Sequence, residues 1–281
     1  MKRRNFLKTS SVIAAASLLP GKLLLADSQK SIGLQLYTIR KDINQDLEGS
    51  LKRVAEIGYK TVELASYDKG KFYGKTPAEF KSMLADLGLH ALSTHNGVSP
   101  DNIQQIAEDA ATLGVEYLTL PYLGNNQRKT LEDYKNLCDQ FNQYGGVCRQ
   151  AGLKFAYHNH AFEFEMMDDQ VPYDILVENT DPGLVSFELD LYWIKKAGFE
   201  PVDYFKKYPG RFSMWHVKDM DPATGKFTEV GSGNIDFRSI FENRKTSGLE
   251  HFFVELDFTE GSALESIKIS FDYLNKAEFV I

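Results

Sequence analysis

The sequence predicts a single domain folded as a parallel (β/α)8 barrel, on three observations. Short apolar runs alternate eight times with longer amphipathic segments between residues 32 and 276, the pattern of repeated strand–helix units. The chain has 281 residues, and barrels of ~250 residues are routinely one domain. The segment after the first apolar run, Tyr37 to Asn44, has no glycine. An open doubly wound sheet would be expected to carry a glycine-rich turn there.

The first strand is expected over 32–37 (IGLQLY). Its helix is expected over 45–57, where Leu47, Leu51, Val54 and Ala55 recur at spacings of three and four. The second strand is 60–64, followed by a helix at 76–87 that opens on Thr76-Pro77, a capping hydroxyl before a proline with the right fixed φ. The third strand is 89–94, and Ser99-Pro100 opens the helix 99–112 in the same way. Strands at 115–120, 153–158, 184–190, 212–217 and 251–256 follow. Their helices are 130–151, 171–179, 200–207, 236–246 and 262–276. Gly58, Gly88, Gly114, Gly152 and Gly248 stand where helices must end before the next strand.

The start of the chain reads as an address. Lys2-Arg3-Arg4-Asn5-Phe6-Leu7-Lys8 precedes an apolar stretch from Val12 to Leu19 that is too short for a bilayer of ~30 Å. The arginine pair followed by Phe-Leu-Lys resembles a twin-arginine export signal. Residues 1–30 are therefore expected to be a signal peptide, residues 31–281 the barrel, and the location the periplasm, with no stable membrane anchor. The formal net charge is −7; five cations and no acid fall in residues 1–26, so residues 27–281 carry −7 − 5 = −12. A body so acidic repels a phosphate backbone, which argues against nucleic acid as a partner. Cys138 and Cys148 lie ten residues apart on an expected helix. That is ~15 Å, too far for a disulfide.

In such a barrel the active site lies at the carboxyl ends of the strands. Polar residues stand there in several units: Gln35 and Tyr37, Glu63, His95-Asn96, His158-Asn159-His160 with Glu163, Glu188 and Asp190, His216 with Lys218 and Asp219, and Glu255 with Asp257. Alternate residues share a strand face. The steps from His158 to Asp190, His216 and Glu255 are 32, 26 and 39 residues, each about one strand–helix unit. Four consecutive strands would thus each present one nitrogen or carboxylate to one rim. His158, Asp190, His216 and Glu255 are the expected ligands of one divalent ion, and imidazole with carboxylate suits Mn, Co, Fe or Zn. Each residue alone is as readily a structural histidine or a solvated rim carboxylate; recurrence in four neighbouring units is what favours a metal.

The stretches 157–164 (YHNHAFEF), 187–198 (FELDLYWIKKAG) with Pro201, 210–219 (GRFSMWHVKD) and 230–237 (VGSGNIDF) resemble the sugar phosphate isomerase/epimerase family, the xylose-isomerase-like TIM barrels. The resemblance covers roughly residues 31–278. Relatives in that family include keto-sugar epimerases, hydroxypyruvate isomerases, inosose dehydratases and enzymes acting on 3-keto-glycosides. The family's metal is usually held by Glu, Asp, His and Glu from strands five to eight. Asp190, His216 and Glu255 match that pattern. His158 or His160 stands where many relatives have the first Glu, and the choice between them is open.

The resemblance implies proton abstraction α to a carbonyl on a metal-chelated, non-phosphorylated keto-sugar. Glu255 can serve as the base, with Glu188 and His160 as alternatives, and Lys218 can stabilise the oxyanion or deliver a proton. The plainer reading of Lys218 is a salt bridge to Asp219 or Glu188. Tyr37, Glu63, His95, Glu163 and Trp193 are expected to bind the sugar; Tyr192 is a further aromatic candidate. The outcome is isomerisation or epimerisation, or, with a leaving group β to the carbonyl, elimination from a 3-keto-glycoside or an inosose. Two readings of other classes are an exported sugar-binding barrel without chemistry and a DNA-repair metal nuclease, the latter opposed by the acidic body. The partner is a small-molecule sugar. A homodimer is compatible with the sequence, which sets no oligomeric state.

Overall fold

The computed structural model describes residues 30–280. The expected export signal lies outside the described residues except for Lys30, whose Nζ donates to the carbonyls of Asn275 at 2.9 Å and Leu274 at 3.3 Å. Among the described residues, no helix is long and apolar enough to cross a membrane.

Eight parallel strands close into a barrel: β1 (Gly33–Gln35), β2 (Thr61–Leu64), β3 (His90–His95), β4 (Tyr117–Leu120), β5 (Lys154–His158), β6 (Val185–Asp190), β7 (Met214–Val217) and β8 (His251–Val254). Each pairs with its sequence neighbours, and β1 pairs with β8 to close the ring. The principal outer helices are α1 (Leu47–Ile57), α2 (Pro77–Asp86), α3 (Ile103–Leu113), α4 (Leu131–Gln150), α5 (Pro172–Glu178), α6 (Pro201–Lys207), α7 (Phe237–Glu242) and α8 (Ala263–Lys276). The predicted order is observed throughout. Thr76 caps α2 with a full capping box: Thr76 Oγ1 accepts from Glu79 N–H, and the Glu79 carboxylate accepts from Thr76 N–H. The five glycines expected to end helices all have positive φ, from 71° to 125°.

Three of the boundaries that differ from expectation have a visible cause. The first strand ends at Gln35, because Gln35 Oε1 accepts Tyr37 N–H and turns the chain into a 3-10 helix, Leu36–Ile39. Ser99-Pro100 opens a turn instead of α3, because Asn102 accepts from Ser99 N–H and delays the helix to Ile103. The eighth strand ends at Val254, where Leu256 N–H leaves the ladder for Thr38 Oγ1.

The main core lies between the barrel and its helices, with Trp215, Phe155, Phe187 and Phe205 among its fully buried members. Cys138 and Cys148 are free and buried in it. Inside the barrel, Tyr117, Ala156, Met214 and Phe253 form an apolar lower layer. Above it the inward positions turn polar. Register aligns Gln35 with Glu63, His158 with Glu188, and Asp190 with His216. Buried carboxylates and imidazoles thus come together at the end of the barrel where the strands finish.

Candidate metal centre and active site

Each side chain of the centre is aimed by a local device. Asp190 ends β6 and caps the short helix Leu191–Lys196; its Oδ1 accepts the N–H groups of Tyr192 and Trp193, both at 2.9 Å. That leaves Oδ2 turned inward. Asn159 accepts from Asp190 N–H at 3.0 Å and fixes the strand end. His216 on β7 places Nε2 2.6 Å from Glu63 Oε2 and Nδ1 2.6 Å from Glu255 Oε2. Glu63 also accepts from Gln35 Nε2 at 2.8 Å, and a register shift between Val62 and Glu63 bends β2 beside it. A buried carboxylate holding the far nitrogen of an imidazole is how proteins orient metal-binding histidines.

Asp190, His216 and Glu255 each offer a ligand atom within 4.8 Å of the others. Asp190 Oδ2, His216 Nδ1 and Glu255 Oε2 are buried without a directed hydrogen bond. They meet one another and the Lys218 ammonium as ion pairs, and two carboxylate oxygens and an imidazole nitrogen converging in a buried site are a donor set that suits a divalent cation. These residues would hold it. His158 adds Nε2 3.6 Å from Asp190 Oδ2 while its Nδ1 lies 3.2 Å from Glu188 Oε2. Three of the four expected ligands therefore converge as one group, and His158 stands beside them. Of the two strand-five histidines, His158 is the one in contact with the centre. His160 lies past the end of β5, its ring 5.2 Å from Tyr122 and 5.5 Å from Trp193.

Below this group a second layer converges: His95, His158, Glu188 and His216. Glu188 Oε2 lies 2.7 Å from His95 Nε2 and 3.2 Å from both His158 Nδ1 and His216 Nε2. Glu63 and Glu188 are fully buried here. They face imidazoles, so neither presents itself to a sugar.

Lys218 is 1% exposed and sits among three carboxylates: Asp190 at 2.9 Å, Glu255 at 2.6 Å and Asp257 at 2.9 Å. Its directed hydrogen bond goes to Asp257. Neither Asp219 nor Glu188 is its partner. Asp219 instead accepts four backbone N–H groups, from Met220, Gly231, Gly233 and Ile235, and so folds the 230–237 loop. Gly233 must be glycine, because a Cβ there would meet Asp219 Oδ1 at 2.3 Å.

The electrostatics divide the site. Burial opposes charge on His216, but Glu188, Glu255 and Glu63 overcome it and hold its pKa well above normal. His95 behaves alike: burial lowers it, while Glu63 and Glu188 bring it up to about 9. Burial, with the neighbouring His216 and His95, holds His158 well below the normal range. Burial and the Lys218 charge take His160 down to about 3. Both strand-five imidazoles are therefore neutral near pH 7. Burial would raise Glu255, yet Lys218 and His216 hold it well below the ordinary carboxylate range.

A cavity of about 390 Å³ opens above the centre, with His158, His160, Lys218, Glu255 and Asp257 among its walls. Tyr37 and His95 are also among its walls. Glu163 is fully buried, accepts from the Tyr157 hydroxyl and from His160 N–H, and is turned away from the cavity. Trp193 packs against His160 and Phe227, and Tyr192 is buried with its hydroxyl on the Gly225 carbonyl. Sequence reasoning did not select Asp257, Tyr67 or Tyr122 as site residues. Asp257 was legible as the alternate partner of Glu255. Tyr122 and Tyr67 lie on loops beyond the fourth and second strands, where no periodicity points inward.

A profile of the xylose isomerase-like TIM barrel family matches residues 51–277. The chain belongs to this family. The inosose dehydratase of Geobacillus kaustophilus is 25% identical over 232 residues, 68% of this chain and 73% of that protein. That of Clostridium beijerinckii is 28% identical over 163 residues, about half of each chain. A crystal structure of a sugar phosphate isomerase/epimerase from Parabacteroides distasonis superposes with a TM-score of 0.82 at 28% identity, covering 92% of this chain and 97% of that one. A second from the same organism gives 0.80 at 31%, covering 90% and 100%. The IolI protein, crystallised with a zinc atom, shares the fold at a TM-score of 0.71 and 18% identity, covering 89% and 98%.

Proposed function

We propose that this member of the family is a divalent-metal-dependent lyase that removes the proton α to the carbonyl of a keto-sugar and expels a β-leaving group. One observation carries the choice of elimination. The carboxylates that line the cavity, Glu255 and Asp257, both follow β8, while β5 contributes the neutral imidazoles of His158 and His160. Exchanging a proton between the two faces of a carbon calls for a base on each side. Elimination calls for one base and a proton donor for the departing oxygen. Glu255 or Asp257 takes the α proton, and the Lys218 ammonium, held at the cavity wall by Asp257, supplies a proton to the leaving oxygen. A bound divalent ion would polarise the carbonyl as a Lewis acid. The likeness to inosose dehydratases supports the reading, and the zinc atom in IolI supports a metal.

Isomerisation or epimerisation is the second reading. It is favoured by the likeness to the two sugar phosphate isomerase/epimerase structures and by His160, a cavity wall whose buried Nδ1 lacks a hydrogen-bond partner and is open to accept a proton. A phosphorylated substrate is disfavoured. Among the described residues, Lys218 and the charged His95 are the cations of the cavity walls, and both are already paired, Lys218 with three carboxylates and His95 with Glu63 and Glu188. The Arg3-Arg4 start supports export to the periplasm.

Incubation with metal in deuterated water separates the readings, using free ketoses, inososes and keto-glycosides. Elimination should release water or an aglycone and leave an unsaturated ketone. Recovered sugar that carries solvent deuterium without such release would favour isomerisation. Absence of both with the metal loaded would refute keto-sugar enolisation.

A further inference from the structure

Two of the oxygens that would hold a divalent ion already face a cation of the chain itself. Lys218 stands two residues beyond His216, so strand alternation delivers both side chains to one face. Its Nζ lies 2.9 Å from Asp190 Oδ2 and 2.6 Å from Glu255 Oε2. Glu255 Oε2 is also 2.6 Å from His216 Nδ1, so ammonium, carboxylate and imidazole meet at one oxygen. The ammonium is buried, and its charge is balanced by protein groups in place of bulk water.

The third partner of Lys218 differs from these two. Asp257 Oδ2, at 2.9 Å, takes the directed hydrogen bond from Nζ. The Asp257 side chain is 25% exposed, against 0% for Asp190 and 5% for Glu255, and it is a wall of the cavity. On the same ammonium, the ring of Phe227 lies 5.9 Å from Nζ, within cation–π reach. Phe227 is held by the antiparallel ribbon of Asp219–Met220 with Phe227–Thr228 and by the Tyr192 ring, 4.2 Å away between centroids. Lys218 therefore has a deep pair of partners, Asp190 and Glu255, and an outer pair, Asp257 and Phe227. A divalent ion draws carboxylate oxygens to about 2.0–2.2 Å. An ammonium on the same two oxygens repels it, and a buried site screens that repulsion poorly.

We propose that Lys218 and the divalent ion compete for Asp190 and Glu255, so that seating the ion shifts the ammonium onto Asp257 at the cavity wall. This rests on the metal reading above, and it does not depend on the choice between elimination and isomerisation. One side chain then serves two ends. Its charge offsets two buried carboxylates that face each other, and metal binding itself delivers the same group to the substrate side. No covalent bond changes, and the ammonium keeps its proton throughout.

The test measures zinc affinity of the full chain at pH 7 by competition against a chromophoric chelator, with circular dichroism to check folding. Lys218→Met keeps a long unbranched side chain and removes the charge. It should bind zinc about tenfold or more tightly than wild type, the equivalent of one charge-assisted hydrogen bond that the ion no longer breaks. Lys218→Gln repeats the measurement if the methionine variant does not fold. Asp257→Asn takes away the outer carboxylate and should weaken zinc binding by about tenfold. In the Lys218→Met background the same change should act within about twofold, because no ammonium is left to move. An affinity of the lysine variants at or below wild type overturns the competition. Equal weakening by Asp257→Asn in both backgrounds overturns the shift, since Asp257 would then act by its own charge. Wild-type affinity no better than that of His216→Ala, the reference for a lost ligand, overturns the metal reading and this inference with it.

Discussion

Glu63 never touches the cavity, yet replacing it by Gln should weaken metal binding. Its Oε2 is the acceptor for His216 Nε2 at 2.6 Å and for Gln35 Nε2 at 2.8 Å, and it is fully buried. By holding the His216 proton on Nε2, it leaves Nδ1 facing Asp190 and Glu255 as a ligand. A charge-assisted hydrogen bond of this kind contributes about 1.5–3 kcal/mol. At about 1.4 kcal/mol per decade this is roughly 10–100-fold in affinity, the range found for outer-shell partners of metal ligands. A glutamine can also turn its NH2 toward Nε2, which would move the imidazole proton onto Nδ1 and block it. Both effects act in the same direction. The assay is competition against a chromophoric chelator at pH 7, with circular dichroism as a check on folding and His216→Ala as the reference for a lost ligand. Glu63→Gln should keep a stoichiometry of one metal per chain with a weaker dissociation constant. Affinity within about twofold of wild type, where roughly 10–100-fold is expected, would refute the claim that Glu63 sets the His216 tautomer.

Glu163 should make stability depend on pH in a recognisable window. Burial raises its pKa to about 7, against hydrogen bonds from Tyr157 and His160 that lower it. The folded state therefore binds its proton more tightly than the unfolded chain, so this group lowers stability as pH rises from the ordinary carboxylate value to about 7, by an amount on the order of 3 kcal/mol. Glu163→Gln should flatten that decline in urea unfolding between pH 4 and 8, and parallel curves for the two proteins would count against it. At the other end of the chain, changing Arg3 and Arg4 together to Lys should leave the precursor in the cytoplasm on cell fractionation; undiminished export would point to the ordinary secretory route.

The barrel was legible in the sequence because its cause is local. An apolar run of a few residues followed by spacing of three and four specifies a strand–helix unit, and eight such units without a glycine-rich turn after the first strand favour a barrel over an open doubly wound sheet. Capping was equally local: Thr76 and Glu79 are three residues apart, and Gly58, Gly88, Gly114, Gly152 and Gly248 supply the left-handed turn that other residues resist. The ligand types were legible for a related reason. The i, i+2 alternation that puts Glu188 with Asp190, or His216 with Lys218, on one face is a property of any strand.

What needed the tertiary structure was the depth and direction of each group, which depend on residues far apart in the chain. Glu63 reads as a rim carboxylate, but it is buried because His216, 153 residues away, takes its charge. Glu163 reads as a residue that binds the sugar, but the turn after β5 folds it back onto the Tyr157 hydroxyl and His160 N–H. His158 and His160 share a spacing and a residue type. Only the end of β5 between them separates the one packed against Asp190 from the one beside Tyr122. Lys218 reads as the partner of its neighbour Asp219, yet that carboxylate is consumed by four backbone N–H groups, and the ammonium turns to β6 and β8. Local pattern sets which faces exist. Barrel closure, register and competition for buried hydrogen bonds decide which atoms meet there.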